Sequence, residues 1–260
     1  MSSRGLIGAA LAIAVAVFGW RARALSAGGA ITAVLVGTVA VAAGWAWGVL
    51  LILYFAASSA VSRACRQIKS ARAGGIVAKD GPRDAAQVLA NGGLFATAAL
   101  LAIVAPASQW FALGAGALAA SAADTWATEL GTRYGAVPRS ILSGKHVPAG
   151  TSGGVSAIGS GGAVAGALFV AAVVLVLGWS SRVALAAAIG GIAGALTDSV
   201  LGASVQSARW CDTCARGTER ERHDCGSMTR RIRGVGWMDN DVVNLLSGLA
   251  GGVVAALIAG

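Results

Sequence analysis

Five carboxylates, Asp124, Glu129, Asp198, Asp239 and Asp241, lie within or against long apolar stretches of a 260-residue chain in which only 12% of residues are charged. An ionised side chain at membrane depth is costly, so the default reading of such a residue is a working site. Asp124 and Glu129 are about 140° apart around a continuous helix. They converge only if that helix ends or unwinds near Trp126–Gly131; otherwise they serve different ligands. Both acids, and Asp198 with them, fall toward helix C-termini, where the dipole disfavours negative charge. A bound cation relieves that placement. With Asp239, Asp241 and Asn244 they form a hard, oxygen-rich set suited to Mg²⁺, an ion that bridges protein carboxylates and substrate phosphates. Blander accounts exist: ion pairs with loop arginines for Asp124 and Asp198, and a helix N-cap for one of Asp239, Asn240 and Asp241. A cap does not need Asn244, which lies one turn beyond Asn240.

Phosphate-binding chemistry is suggested by the run Lys145 to Ser156. Glycines at Gly150, Gly153 and Gly154 let backbone N–H groups turn toward an anion, and Thr151, Ser152 and Ser156 add hydroxyls. The run enters an apolar helix at its positive end. Its lysine precedes the glycines, so it is no P-loop, and a Gly/Ser-rich run also serves as a plain connector. Gln87 and Asn91, at i and i+4, face one way at a helix start. Upstream, Lys69 is a candidate phosphate contact, whereas Arg63, Arg66 and Arg72 read as membrane-side anchors. Cys211-x-x-Cys214 and His223-x-Cys225 offer four soft ligands, a set that suits a structural Zn²⁺ although the spacing follows no standard finger. With two histidines in the chain, no Ser/His/Asp nucleophile arrangement is legible.

These residues sit in a chain that is 56% hydrophobic with 38 glycines. Apolar runs recur at about 5–20, 26–43, 45–61, 86–104, 108–130, 161–179, 182–203 and 241–259, each nearly long enough or long enough to cross about 30 Å of hydrocarbon. The expected fold is all-α: a polytopic membrane helix bundle of about eight transmembrane helices in a single domain, residues 1–260. Its loops fall near 62–85, 131–160 and 204–240. The connections after the first, third, fifth and seventh runs carry 18 of the 20 Lys and Arg. That asymmetry puts those loops in the cytoplasm and both termini outside, at the cell membrane. The net charge of +9 is therefore topology, and no nucleic-acid partner is expected. Arg21 and Arg23 directly after the first run fit an uncleaved span better than a signal peptide. Trp20, Trp45, Trp47, Trp110, Trp126 and Trp179 fall near run ends, as interfacial indoles do. Three Gly-x-x-x-Gly pairs, beginning at Gly162, Gly190 and Gly248, read as close helix packing.

Several stretches resemble one family of integral membrane proteins, that of the phytyl-phosphate kinase of tocopherol and phylloquinone synthesis. They are Ser121 to Gly131, Gly150 to Ser156, Asp198 to Ala203 with Gln206, the Cys/His loop, Asp239 to Asn244, and Gln87 to Gly92. They cover most of the chain in one order. The resemblance implies Mg²⁺-dependent transfer of a phosphoryl group from a nucleoside triphosphate, CTP or ATP, to an isoprenoid monophosphate such as phytyl or geranylgeranyl phosphate.

The residues themselves agree with that expectation: Asp124, Glu129 and Asp198 hold Mg²⁺, completed by Asp239, Asp241 and Asn244. Lys145, Gly150–Gly154, Ser156, Lys69 and Asn91 contact nucleotide phosphates. Phosphoryl transfer needs mostly positioning and charge neutralisation. Two rivals use similar residues. A lipid or ion transporter or flippase places its acids near the bilayer midplane in broken helices. A CTP-dependent cytidylyltransferase uses a similar metal site but releases pyrophosphate.

Overall fold

The computed structural model describes residues 3–79 and 81–260, without the side chains of Ser3, Arg4, Lys69 and Ser70. Eight helices appear among the described residues: α1 (Ser3–Arg21), α2 (Ala27–Ala43), α3 (Trp45–Ala73), α4 (Ala85–Val104), α5 (Ser108–Tyr134), α6 (Ala157–Val176), α7 (Ser181–Ser204) and α8 (Asn240–Ala259). Five of them, α3, α4, α6, α7 and α8, are long and apolar enough to cross a membrane, and α1 and α2 are shorter apolar helices. α5 is long but less apolar. It runs through the centre, packed by α3, α4, α6, α7 and α8, so its Ala/Gly/Ser-rich middle meets protein rather than lipid.

The connections α1–α2, α3–α4, α5–α6 and α7–α8 gather at one end. Leu25 bridges Arg83, Lys79 reaches Asp241, and Ser152 bonds Glu219. This loop-rich end holds more regular structure than the sequence suggests. α3 continues to Ala73, which shortens the loop expected at 62–85. β1 (Arg139–Ser140) pairs with β2 (Gly154–Val155) in a short antiparallel hairpin. β3 (Ala208–Cys211) lies between β4 (Arg216–Thr218) and β5 (Arg230–Arg233) in a three-stranded sheet.

At the opposite end, Trp47 is 2% exposed. Its ring centroid lies 5.0 Å from Phe95, 5.1 Å from Phe111 and 4.9 Å from Trp179. Trp126 stacks on Phe169. Trp47, Trp126 and Trp179 pack within the bundle, whereas Trp20 and Trp45 are exposed.

The Gly-x-x-x-Gly pairs are contact points of helix backbones. A Cβ on Gly166 would stand 2.7 Å from the Ala122 carbonyl oxygen of α5, and one on Gly190 would stand 2.3 Å from that of Gly251 in α8. Gly161, on the exposed side of α6, has nothing within 4 Å. Gly166→Ala is therefore expected to destabilise by about 1–3 kcal/mol through overpacking against backbone. Gly161→Ala should be neutral or stabilising by up to about 1 kcal/mol through helix propensity. Thermal unfolding of the two variants in detergent checks the contrast; equal melting temperatures would refute the packing assignment.

Candidate functional site

α5 neither ends nor unwinds near Trp126–Gly131. Asp124 and Glu129 nevertheless line one cavity of about 380 Å³, because it curves around the loop-side end of that helix. Asp198 enters from α7, its carboxyl against the Asp124 carboxyl and the Ser247 hydroxyl of α8. Two carboxylates in contact repel unless a proton or a cation lies between them. The Asp198 Oδ2 atom is buried with no hydrogen-bond partner.

Both acid-bearing helices have their C-terminal carbonyls covered by an arginine from elsewhere. Arg72 donates to the carbonyl oxygens of Thr132 at 2.9 Å, Arg133 at 3.1 Å and Gly135 at 3.1 Å. Arg233 donates to Ala203 at 2.6 Å and Gly202 at 2.8 Å. These guanidiniums satisfy the orphan carbonyls and oppose the negative helix end.

The start of α8 resolves cap from site. Asp239 is the N-cap, its Oδ1 accepting from the N–H groups of Asp241 and Val242 at 3.0 Å each, and it also faces the cavity. Asp241 pairs through Oδ2 with Lys79 at 2.5 Å, while its buried Oδ1 has no partner. Lys79 also pairs with Asp84 at 2.7 Å. Desolvation pulls the Lys79 pKa down, but hydrogen bonds to Asp241 and Asp84 outweigh it, and the net shift is upward. Asn244 is 9% exposed, with a buried and unpartnered Oδ1. It stands behind the cavity rather than on its lining.

The glycine run from Gly150 to Gly154 lines the cavity, as do Thr151, Ser152 and Ser156. Its glycines also let it dock: Gly153, at φ +77°, leaves a Cβ only 2.4 Å from the backbone nitrogen of Ala203. Some of its donors are already used. Thr151 and Gly154 donate within the turn at 3.2 Å and 3.0 Å, and Ser156 caps α6 by accepting from Gly159 N–H. Lys145 stands exposed on the β1–β2 connection and does not line the cavity. The lysine that lines it is Lys79. Lys69 lies in α3, its side chain outside the described residues. Asn91 is absent from the lining, and its amide donates to the Gln87 carbonyl at 2.9 Å, whereas Gln87 faces the cavity.

Glu219, just beyond β4, is a cavity residue that the pattern of acids in apolar runs did not single out. Ser152 donates to its Oε1, Gln206 donates to the same atom at 3.0 Å, and Ala78 N–H donates to Oε2 at 3.2 Å. Burial raises its pKa above the ordinary carboxylate value despite those donors. An acid between Thr218 and Arg220, one of several in a basic loop, is a faint signal. Lys79, in the Gly/Pro-containing turn between α3 and α4, is another.

The Cys/His loop closes beside this region. Sγ of Cys211, Cys214 and Cys225 and one ring nitrogen of His223 all lie within 4.8 Å of one another. Cys211 and Cys225 are 3.6 Å apart, and His223 Nδ1 is 3.4 Å from Cys225. Donors from Ser227, then His223 and Cys214, favour the Cys225 thiolate and bring its pKa down to about 6.

An apolar bundle with an acid- and glycine-lined cavity at its loop-rich end defines an integral membrane protein with a polar site at that end. The chain belongs to the family described as integral membrane protein DUF92, matched over residues 10–252. It is 30% identical to Protein PGR of Arabidopsis thaliana over 261 aligned positions, covering 90% of this chain and 88% of that protein. It is 29% identical to the uncharacterized membrane protein MJ0933 of Methanocaldococcus jannaschii, covering 83% of this chain and 77% of that one. No solved structure matches it.

The raised Glu219 pKa carries a sign. The folded state takes up this proton before the unfolded chain does, so the group adds stability as pH falls through the raised value. The gain levels off below the ordinary carboxylate pKa. Glu219→Gln removes this proton linkage. The wild type should therefore gain stability on that variant when melting curves are compared between neutral pH and about pH 5. A pH-independent difference would contradict the burial argument.

Proposed function

We propose that the protein is a Mg²⁺-dependent phosphotransferase that moves the γ-phosphoryl group of a nucleoside triphosphate, CTP or ATP, to an isoprenoid monophosphate, giving the diphosphate. The observation that carries this reading is the contact between Asp198 and Asp124 in a cavity walled by the Gly150–Gly154 run. The donor set fits Mg²⁺: Asp124, Glu129, Asp198, Asp239 and Asp241 present hard oxygens to the cavity, and Asp198 Oδ2 and Asp241 Oδ1 are buried with no hydrogen-bond partner among the described residues. Asp124, Asp198 and Glu129 would hold the ion, with Asp239 and Asp241 facing them. When bound, Mg²⁺ neutralises charge on the β- and γ-phosphates.

The chain's own residues do the rest. The positive end of α6 and the glycine run orient the nucleotide phosphates. Lys79 holds Asp241 in place and remains close enough to meet a phosphate oxygen. The acceptor phosphate is ionised at neutral pH, so its oxygen attacks the γ-phosphorus without a strong base. The bond from that phosphorus to the β–γ bridging oxygen breaks, and nucleoside diphosphate leaves. Placement of 18 of 20 basic residues on one side orients the site toward the cytoplasm of the cell membrane.

The acids cluster on the loop side of unbroken helices, which disfavours a transporter working at the midplane. A cytidylyltransferase is separated by product: pyrophosphate rather than nucleoside diphosphate. With Mg²⁺, labelled CTP or ATP and geranylgeranyl monophosphate, purified protein should yield lipid diphosphate and nucleoside diphosphate. Asp124→Asn should lower turnover by at least about 100-fold, in line with the loss of a charge-stabilising group, while remaining folded. Full turnover in that variant would remove Asp124 from the chemistry.

Cys211, Cys214, His223 and Cys225 would hold a structural Zn²⁺. A tetrahedral site with Zn–S bonds of about 2.3 Å has edges of about 3.8 Å, close to the 3.6 Å between Cys211 and Cys225. The ion would clip the sheet that presents Glu219. Elemental analysis of protein purified without chelator should give close to one zinc per chain, falling sharply in Cys211→Ser. Zinc-free wild-type protein with unchanged stability would refute the site.

A further inference from the structure

Two further cavities share lining residues with the acid-lined one. The first, of about 180 Å³, is rimmed by Arg23, Arg63, Arg66 and Arg83 with Ser59 and Ser62. The second, of about 90 Å³, is an apolar groove between α1, α2, α3 and α4, walled by residues such as Val15, Val36, Leu51 and Val88. Arg83 lines both, Lys79, Thr125 and Glu129 join the basic pocket to the acid-lined cavity, and Gln87 faces all three.

Among the described residues, no ion pair joins these four arginines to a carboxylate. The ion pairs among the described residues use Lys79, Arg209, Arg220 and Arg230. Arg63 donates to the Ala22 carbonyl at 3.0 Å. Arg83 donates to Ser59 Oγ at 3.1 Å and lies 5.7 Å over the Phe55 ring. Its backbone is pinned by bonds with Ala24 and Ser26 at 3.0 Å each. Arg23 holds φ +55°, a conformation few side chains other than Asn, Asp and His adopt readily. Surface anchors need none of this order. Gln87 accepts from Asp84 N–H through Oε1 at 3.1 Å, which leaves its amide as a donor at the junction.

We propose that the basic pocket and the groove together bind the acceptor, a single-chain lipid monophosphate, with its phosphate among Arg23, Arg63, Arg66 and Arg83 and the start of its tail along α1–α4. The proposal rests on the phosphotransferase reading for the role of the bound lipid. Guanidinium groups match phosphate oxygens in fork geometry. The groove takes the start of one chain, and because Leu11 and Ile52 on its wall are exposed, the rest of the tail would continue outside it. The lipid phosphate then meets the acid-lined cavity past Gln87, where the nucleotide would sit.

Binding without nucleotide separates this site from the chemistry. Geranylgeranyl monophosphate is titrated into detergent-solubilised protein and followed by native mass spectrometry, beside geranylgeraniol and phosphatidic acid. One geranylgeranyl monophosphate should bind per chain, more tightly than either control. Arg63→Gln with Arg66→Gln, both at exposed positions, should weaken it by tenfold or more. Val88→Trp should weaken it by blocking the groove, and melting curves confirm that each variant is folded. Unchanged affinity in both folded variants, or equal binding of phosphatidic acid, would overturn the site. Binding with these losses but no phosphoryl transfer would leave the site standing and overturn the kinase reading alone.

Discussion

The rest of the structure depends on keeping negative charge at the C-terminal ends of two helices inside an apolar bundle. Helix dipole and low polarity both oppose it. The molecule answers with guanidiniums brought from elsewhere: Arg72 over the last turn of α5 and Arg233 over that of α7. Each satisfies carbonyls that the helix leaves open and places a full positive charge where the partial charge is negative. Each also fastens a neighbouring element. Arg72 ties the overlong α3 to α5, and Arg233 ties β5 to α7. Basic residues at the loop-rich end thus make the acids tolerable.

A second constraint follows from the first. For acids on α5, α7 and α8 to meet, the helix axes must come close, and that requires small residues along their seams. Gly166 against Ala122, Gly190 against Gly251, and Gly194 against Ala120 and Ser247 leave no room for a Cβ. Without a hydrophobic drive between helices in lipid, such close packing supplies much of the association. It also positions Ser247 against Asp198. Packing and site are therefore one arrangement, and α5 can carry its small and polar residues through the centre because its neighbours shield it.

The carboxylates and the eight helices were legible because both are compositional. A charge in an apolar run needs no partner to be noticed. What escaped was long-range pairing. Lys79 gains its place from Asp241 and Asp84, and Glu219 from Ser152, Gln206 and Ala78, all set by loops folding onto one another. Lys145 looked suitable because it sits beside the glycines in sequence, yet the β1–β2 hairpin carries it away from them. Helical angle misled in a similar way: Asp124 and Glu129 share a cavity because the cavity bends, not because the helix does. Trp47 and Trp179 read as interfacial by position, but ring contacts across three connections draw them inward.

The distribution of charge among the three cavities has its own logic. An acid-lined wall repels a polyanion unless a divalent cation accompanies it, so on the proposed reading that side would take phosphate as a metal complex. An arginine-lined wall admits an anion directly. On that reading the two walls, side by side, would hold two phosphate groups close together, one neutralised by metal and one by guanidinium. Lys79 and Gln87 stand at the boundary, and neither is free to drift: one is held by two carboxylates, the other by the capping box of α4. A boundary fixed by local bonds keeps its geometry whether or not either side is filled. Proximity chemistry demands that of a site whose main task is positioning.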